Sequence, residues 1–261
     1  MAIKIAITNQ KGGVAKTSTT INLADALKHF DYKVLTIDFD PSCNATSTYG
    51  AEREDVYTLY DVLDNACKVS EAIQHTDLGD IIPGDELLAE NLDHFSGKMA
   101  RESLLKKKLK EVDNEYDFIV IDTPPTLGLY MLNALVAADG CVIPLKAEHY
   151  SVAGLKLLFK TIENVISSEI NENLRIYGTL ITQFDARTKI DRELLEELPK
   201  VAKSQGFNHF KSYIRICQEV KNVQNLSDAE NKSLYYNAPN CSAAKDYVDF
   251  TKELLEVINN G

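Results

Sequence analysis

Ile5-Ala-Ile-Thr-Asn-Gln-Lys-Gly-Gly-Val-Ala-Lys-Thr-Ser18 runs from an apolar β-type segment, through a small-residue loop, into a helical pattern that begins near Thr17. A strand feeding a helix through such a loop aims backbone N–H groups and a helix N-terminus at one point, which is an anion site. Lys16 adds a mobile positive charge suited to β- and γ-phosphates, and the Thr17 hydroxyl is placed to ligate Mg²⁺. The strict phosphate-loop pattern G-x-x-x-x-G-K-[ST] fails at both glycines, where Gln10 and Ala15 stand. Gly12 and Gly13 still permit close backbone approach, whereas the Ala15 methyl restricts φ. The loop alone leaves open an ordinary glycine-containing turn between a strand and a helix.

Two later segments favour the phosphate reading. Thr36-Ile-Asp-Phe-Asp-Pro-Ser42 sets Asp38 and Asp40 at a strand's C-terminal end, and alternation along the strand sends both side chains to one side. Phe118-Ile-Val-Ile-Asp-Thr-Pro-Pro125 ends a second buried strand in a carboxylate, Asp122, as a Walker B element does. Carboxylates at the carboxyl ends of parallel strands, facing a phosphate loop, stand where a metal and an attacking water need organising.

Outward from these segments, short β-rich runs alternate with helical patterns. Candidate strands are 3–8, 34–37, 80–82, 118–122, 141–145 and 175–182. Between them lie helical faces such as Ile21, Leu23, Ala24 and Leu27, or Leu155, Leu158, Ile162 and Val165. Continuously apolar strands belong to a sheet covered on both faces. The expected fold is therefore α/β: a single domain over 1–261, with a mostly parallel, doubly wound sheet and helices on both sides, of P-loop NTPase type.

Composition narrows the classes. The 261 residues are 44% hydrophobic and 26% charged, a globular balance. No apolar run approaches the roughly 20 residues that span a bilayer, and no signal-type segment precedes the strand at Ile3. Five scattered cysteines without a C-x-x-C pair read as reduced cytosolic thiols. The formal charge of −11 limits nucleic-acid binding to a local basic patch. A Rossmann dehydrogenase is disfavoured because G-x-G-x-x-G is absent and Lys16-Thr17 has no role in one.

Lys11-Gly-Gly-Val-Ala-Lys-Thr17, Asp38-Phe-Asp-Pro41 and Asp122-Thr-Pro-Pro125, in this order, resemble the three signature segments of the ParA/MinD ATPases. The likeness extends through Asp185-Ala-Arg187 and Ile214-Arg215 to Tyr236-Asn-Ala-Pro-Asn-Cys-Ser-Ala-Ala244, nearly the whole chain, and is strongest to the ParA/Soj branch. Gln10 is at home in that family's deviant loop, so Ala15 is the departure, and it puts nucleotide affinity in question.

The resemblance implies an ATP- and Mg²⁺-dependent ATPase with slow turnover, acting as a homodimer that sandwiches two nucleotides. Residues Lys11, Gly12, Gly13, Val14, Ala15, Lys16, Thr17 and Ser18 would line the phosphates. Lys11 would reach the partner's ATP, with Gly12 kept small where two loops approach; Lys16 would act in cis and Thr17 would hold the metal. Asp40 would orient water, and Asp38 and Asp122 would surround the metal, Asp122 through water. Residues 227–231 correspond loosely to the family's base-binding loop, without its usual Pro and Gly.

By the same resemblance, basic residues between Arg187 and Lys221, with Arg187, Lys211, Arg215 and Lys221 as candidates, would bind double-stranded DNA without sequence preference once the dimer forms. The strand at Ile3 leaves no room in this sequence for an N-terminal helix-turn-helix, so a separate ParB-like centromere-binding protein is the expected stimulating partner. The expected location is cytoplasmic, and on the nucleoid in the ATP state. Alternatives are a relative that positions a protein cargo, or a MinD-like regulator of division-site placement. The acidic final stretch, from Asp246 onward, argues against a membrane-bound form of the latter.

Overall fold

A computed structural model of the chain describes residues 1–149, 152–226 and 232–260. Its frame is one eight-stranded sheet: β1 (Ile3–Ile7), β2 (Val34–Asp38), β3 (Gln74–Thr76), β4 (Gly79–Ile82), β5 (Phe118–Asp122), β6 (Gly140–Leu145), β7 (Arg175–Phe184) and β8 (His209–Arg215). The strand order is β3-β4-β2-β5-β1-β6-β7-β8. All neighbours run parallel except β3 and β4, which form an antiparallel edge.

Burial on both faces explains the continuously apolar strands. On one side Ile5, Ile7, Val120, Val142, Leu180 and Phe210 pack under α1 (Lys16–His29) and the last helix, Ser242–Asn260. On the other, Ala6, Ile37, Ile121, Ile143 and Ile181 meet the helices Leu129–Ala137, Val152–Ser167 and Lys189–Gln205. The two faces alternate residue by residue along β1 and β5, as the pleat requires. The predicted helical faces at Leu23 and Leu27, and at Leu155, Leu158, Ile162 and Val165, are buried.

Two strands go beyond the sequence-based expectation. The edge strand β3 is Gln-His-Thr, too short and polar to carry a β pattern. At the other edge, β8 reads His-Phe-Lys-Ser-Tyr-Ile-Arg, with only Phe210, at 1% exposure, and Ile214, at 4%, fully buried. The last helix supplies what a lone edge lacks. Its Glu253 carboxylate accepts from the Lys211 and Ser212 amides at 2.7 and 2.9 Å, and its Asp246 accepts from the Arg215 amide at 2.9 Å. Covering an edge's free N–H groups in this way blocks pairing with a foreign strand.

The chain moves from β1 to β2 on one side and later to β6 on the other. The strand order therefore reverses beside β1, which opens a crevice at the carboxyl ends of the central strands.

Candidate phosphate and metal site

At that crevice β1 gives way to the loop 8–15 and then to α1, which begins at Lys16, one residue before the expected start. Gly13 has φ 72 and Ala15 φ 61, both left-handed. The glycine adopts this freely, whereas the alanine carries a strain of about 1 kcal/mol. Surrounding contacts hold the loop against that strain. The Thr182 hydroxyl lies 3.0 Å from the Val14 carbonyl, and Gln183 Nε2 donates to the Gly13 carbonyl at 3.1 Å. Asn9 Nδ2 donates to the Pro144 carbonyl at 2.7 Å and Gln10 Nε2 to the Gly154 carbonyl at 2.7 Å.

Because each peptide is trans, fixing the Gly13 and Val14 carbonyls toward β7 turns the Val14 and Ala15 N–H groups the opposite way. Ala15, the residue before α1, caps it with no side-chain hydrogen bond, and the first turn holds no acidic residue. The helix N-terminus thus keeps its positive end for an anion. Beside it the buried Lys16 Nζ donates to the Lys11 carbonyl at 2.9 Å. Burial lowers the Lys16 pKa, against the opposing charges of Asp122 and Asp40.

The predicted carboxylates come together. Asp38 and Asp122 are register partners on β2 and β5, and Ile7, at the end of β1, pairs with Asp122 on its other side. Both side chains are fully buried. Asp38 Oδ2 accepts from the Thr46 amide at 2.8 Å and its hydroxyl at 2.7 Å. Asp122 Oδ1 accepts from Thr20 Oγ1 at 3.2 Å, and the nearby Thr17 side chain favours its ionised form. Burial pushes both carboxyls well above the usual range; for Asp122 the neighbouring Asp38 charge adds to this and the Thr17 hydroxyl opposes it. Asp40 is half-buried, with Oδ1 accepting from the Ser42 amide at 2.9 Å and hydroxyl at 2.7 Å.

Two buried oxygens here, Thr8 Oγ1 and Asp122 Oδ2, have no partner among the described residues. A buried carboxylate oxygen left unpaired next to a second buried carboxylate is an arrangement that a divalent cation relieves. Thr17, Asp38 and Asp122 therefore fit a hard, oxygen-liking cation such as Mg²⁺. The loop amides and Lys16 fit the phosphates it would neutralise. Of the loop residues, Val14 is buried, Gly12 faces open space with nothing within 4 Å of an added Cβ, and the half-buried Lys11 accepts the Lys16 contact through its carbonyl. Ser18 and Ala15 line a cavity of about 240 Å³ with Gln183, Ile216, Cys217 and Tyr247.

Sequence reading missed Thr182 and Gln183 as loop anchors and Thr46 as the partner of Asp38. None of the three stands in a motif, and only the register of β7 and the short helix Asn44–Tyr49 after Asp38 bring them in. The loosely matched base-binding loop, 227–231, lies outside the described residues.

Of the basic candidates, Arg215 and Lys221 line the cavity beside Ala15 and Ser18, and the two arginines are engaged locally. Arg187 forks onto Asp185, with Nη2 to Oδ2 at 2.6 Å, and Arg215 forks onto Asp246, with Nη2 to Oδ1 at 2.6 Å. Lys211 and Lys221 are exposed.

With this geometry established, the likeness to known proteins is specific. A family model described as an AAA domain matches residues 2–176. The sporulation initiation inhibitor protein Soj of Bacillus subtilis is 38% identical over 96% of this chain and 97% of its own. The chromosome-partitioning ATPase Soj of Treponema pallidum is 35% identical over 98% of each. Among solved structures, a putative plasmid partition protein from Borrelia burgdorferi bound to AMPPNP superposes with a TM-score of 0.75 at 27% identity, covering 100% of this chain and 99% of that one. A cobyrinic acid a,c-diamide synthase from Mycobacterium smegmatis, bound to an ATP analogue and magnesium, superposes with a TM-score of 0.83 at 28% identity over 100% and 97%.

Proposed function

Since the chain belongs to the AAA/ParA-type family of P-loop ATPases, alongside the Soj and ParA partition proteins, we propose that it is a nucleotide-driven switch for DNA segregation whose 261 residues act as one ATPase domain. The observation that carries this reading is the placement of Lys16, Asp38 and Asp122 at the ends of α1, β2 and β5 around one crevice.

ATP is the substrate and Mg²⁺ the metal, as in the neighbour solved with an ATP analogue and magnesium. The Val14 and Ala15 amides, the α1 N-terminus and Lys16 orient the phosphates and neutralise their charge. Thr17, Asp38 and Asp122 hold the metal, which supplies electrostatic stabilisation of the transferring phosphoryl group. Asp40, anchored by Ser42, orients the attacking water. The cavity beside Gln183 and Cys217 accepts the base.

Lys11 completes the site of a second copy, so the ATP state is the dimeric one. Open space at Gly12 supports such close approach of two loops. The dimer binds double-stranded DNA non-specifically through paired patches that include Arg187, Lys211, Arg215 and Lys221, and a ParB-like protein stimulates hydrolysis. Two weak basic surfaces joined by dimerisation bind where one does not. Such a protein is cytoplasmic and nucleoid-associated when ATP-bound; no helix among the described residues is long and apolar enough to cross a membrane.

Binding to random-sequence duplex DNA with ATP, with ADP and without nucleotide, at two salt concentrations, tests the reading. Binding only with ATP, weakening steeply with salt, is the expected result. Hydrolysis without DNA binding in any state transfers the assignment to a relative that positions a protein cargo.

A further inference from the structure

Two of the five thiols meet beside the crevice. Cys217 caps the helix Gln218–Gln224 directly after β8, and Cys241 immediately precedes the last helix. Cys241 Sγ accepts from the Ala244 amide at 3.3 Å, and the Cys217 thiol lies close enough to act on it electrostatically. Cys217 Sγ also donates to Glu219 Oε2 at 2.9 Å. The approach is built into the fold. Two residues before Cys217, Arg215 clamps Asp246, which lies in the second turn of the last helix, through hydrogen bonds of 2.6–3.2 Å. Both cysteines pack against the same apolar cluster, with Val220 and Ala238.

The other three thiols are buried, and burial pushes Cys43 and Cys67 up to about 11 and Cys141 up to about 12, which makes them inert. Cys217 and Cys241 are partly exposed, and Cys217 lines a cavity that a small molecule can enter. At Cys241 burial and the neighbouring Cys217 raise the pKa, and the Ala243 and Ala244 amides at the start of a 19-residue helix oppose that rise by favouring the thiolate.

We propose that Cys217 and Cys241 form a dithiol–disulfide couple that a low-molecular-weight disulfide oxidises. The Cys217 thiolate attacks one sulfur of RS–SR and releases RS⁻, leaving a mixed disulfide on Cys217. The Cys241 thiolate then attacks the Cys217 sulfur and releases the second RS⁻. The two released thiolates take up the two cysteine protons, so one RS–SR is reduced to two RSH while two cysteines are oxidised to one disulfide. A thiol poised next to a resolving cysteine is the arrangement of a redox-sensing pair. The bond ties the end of β8 to the last helix and fixes the Cys217 wall of the cavity. Bound nucleotide shields that wall, a consequence that rests on the reading of the cavity as the base site.

The test is to incubate the full-length chain with oxidised glutathione under native conditions and map disulfides by mass spectrometry without reduction, with and without ATP and Mg²⁺. The expected product is a Cys217–Cys241 cross-link with no glutathione retained. Cys241→Ser is expected instead to keep one glutathione on Cys217. A wild-type chain that accumulates the Cys217 adduct while Cys241 stays free, or that stays fully reduced, overturns the couple, and this readout needs no variant to fold. If the cross-link forms at the same rate with saturating ATP, the couple stands and the base-site reading fails.

Discussion

Gln183, at the end of β7, donates its side-chain amide to the Gly13 carbonyl at 3.1 Å, and it does so from a left-handed backbone with φ 54. A non-glycine residue in that region carries about 1 kcal/mol or more of strain, held in place by its surroundings. Here the strained residue steers the peptide whose N–H faces the phosphate position. Gln183→Ala keeps the backbone and removes the tether, so the loop samples other orientations before nucleotide binds. The expected outcome is a rise of about tenfold in the Kd for ATP, equivalent to about 1.4 kcal/mol, with the melting temperature little changed. Calorimetric titration with a non-hydrolysable analogue checks it, and an unchanged Kd removes Gln183 from the site.

Asp122 makes stability depend on pH with a definite sign. Burial raises its pKa in the folded protein from 3.8 to about 8, so the folded state retains a proton that the unfolded chain has lost. Stability from this group is complete below pH 3.8 and is lost progressively as pH rises to about 8. Asp38, raised from 3.8 to about 6, acts in the same direction over a narrower window. Asp122→Asn removes the titrating group. The variant is expected to melt higher than the parent at pH 8 without metal, with the gap closing toward pH 5, and to lose hydrolysis. A gap that does not change with pH contradicts the assignment. Mg²⁺ with nucleotide should stabilise the parent more at pH 8 than at pH 6, because it binds the ionised pair.

The core of the site was legible because each part is local in sequence: the loop 8–15, Asp38 with Asp40, and Asp122 all lie at or just beyond strand ends that periodicity reveals. Ala15, the departure from the common pattern, stands in a left-handed backbone with φ 61 at the position where that pattern has glycine. The non-local parts were hidden. Thr182 and Gln183 touch the loop from about 170 residues away, through strand order alone. The edge strand β8 owes its form to Asp246 and Glu253 on the last helix, so its own alternating sequence was read as part of a basic segment. The two thiols meet for the same reason.

Substitutions at Asp40 and Lys11 test the proposed hydrolysis and dimerisation roles separately. The Asp40 carboxylate is held by Ser42 in the turn after β2, so its removal is expected to leave the fold intact. Asp40→Ala is expected to bind ATP normally and to accumulate as an ATP-bound dimer, with turnover reduced by a factor of 10² or more, the range typical for loss of a positioned proton acceptor. Lys11→Ala is expected to bind ATP but to sediment as a monomer. Turnover of Asp40→Ala at the parent rate, or an ATP dimer formed by Lys11→Ala, contradicts the respective role.

Arg215 has one structural role and one proposed role, which a single substitution cannot separate. Its fork onto Asp246 fastens β8 to the last helix, yet its side chain is 47% exposed and sits in the region expected to meet DNA. With that exposure the pair contributes no more than about 1 kcal/mol. Arg215→Ala breaks the clamp and removes the cation, whereas Asp246→Asn weakens the clamp and leaves the cation in place with one fewer neighbouring negative charge. If Arg215 contacts phosphate, DNA affinity in the ATP state falls several-fold in Arg215→Ala, with a shallower salt dependence, and holds or rises in Asp246→Asn. If the clamp alone matters, both variants lose affinity together, in step with a common drop in melting temperature. Fluorescence anisotropy at two salt concentrations, run beside thermal denaturation, distinguishes the two cases.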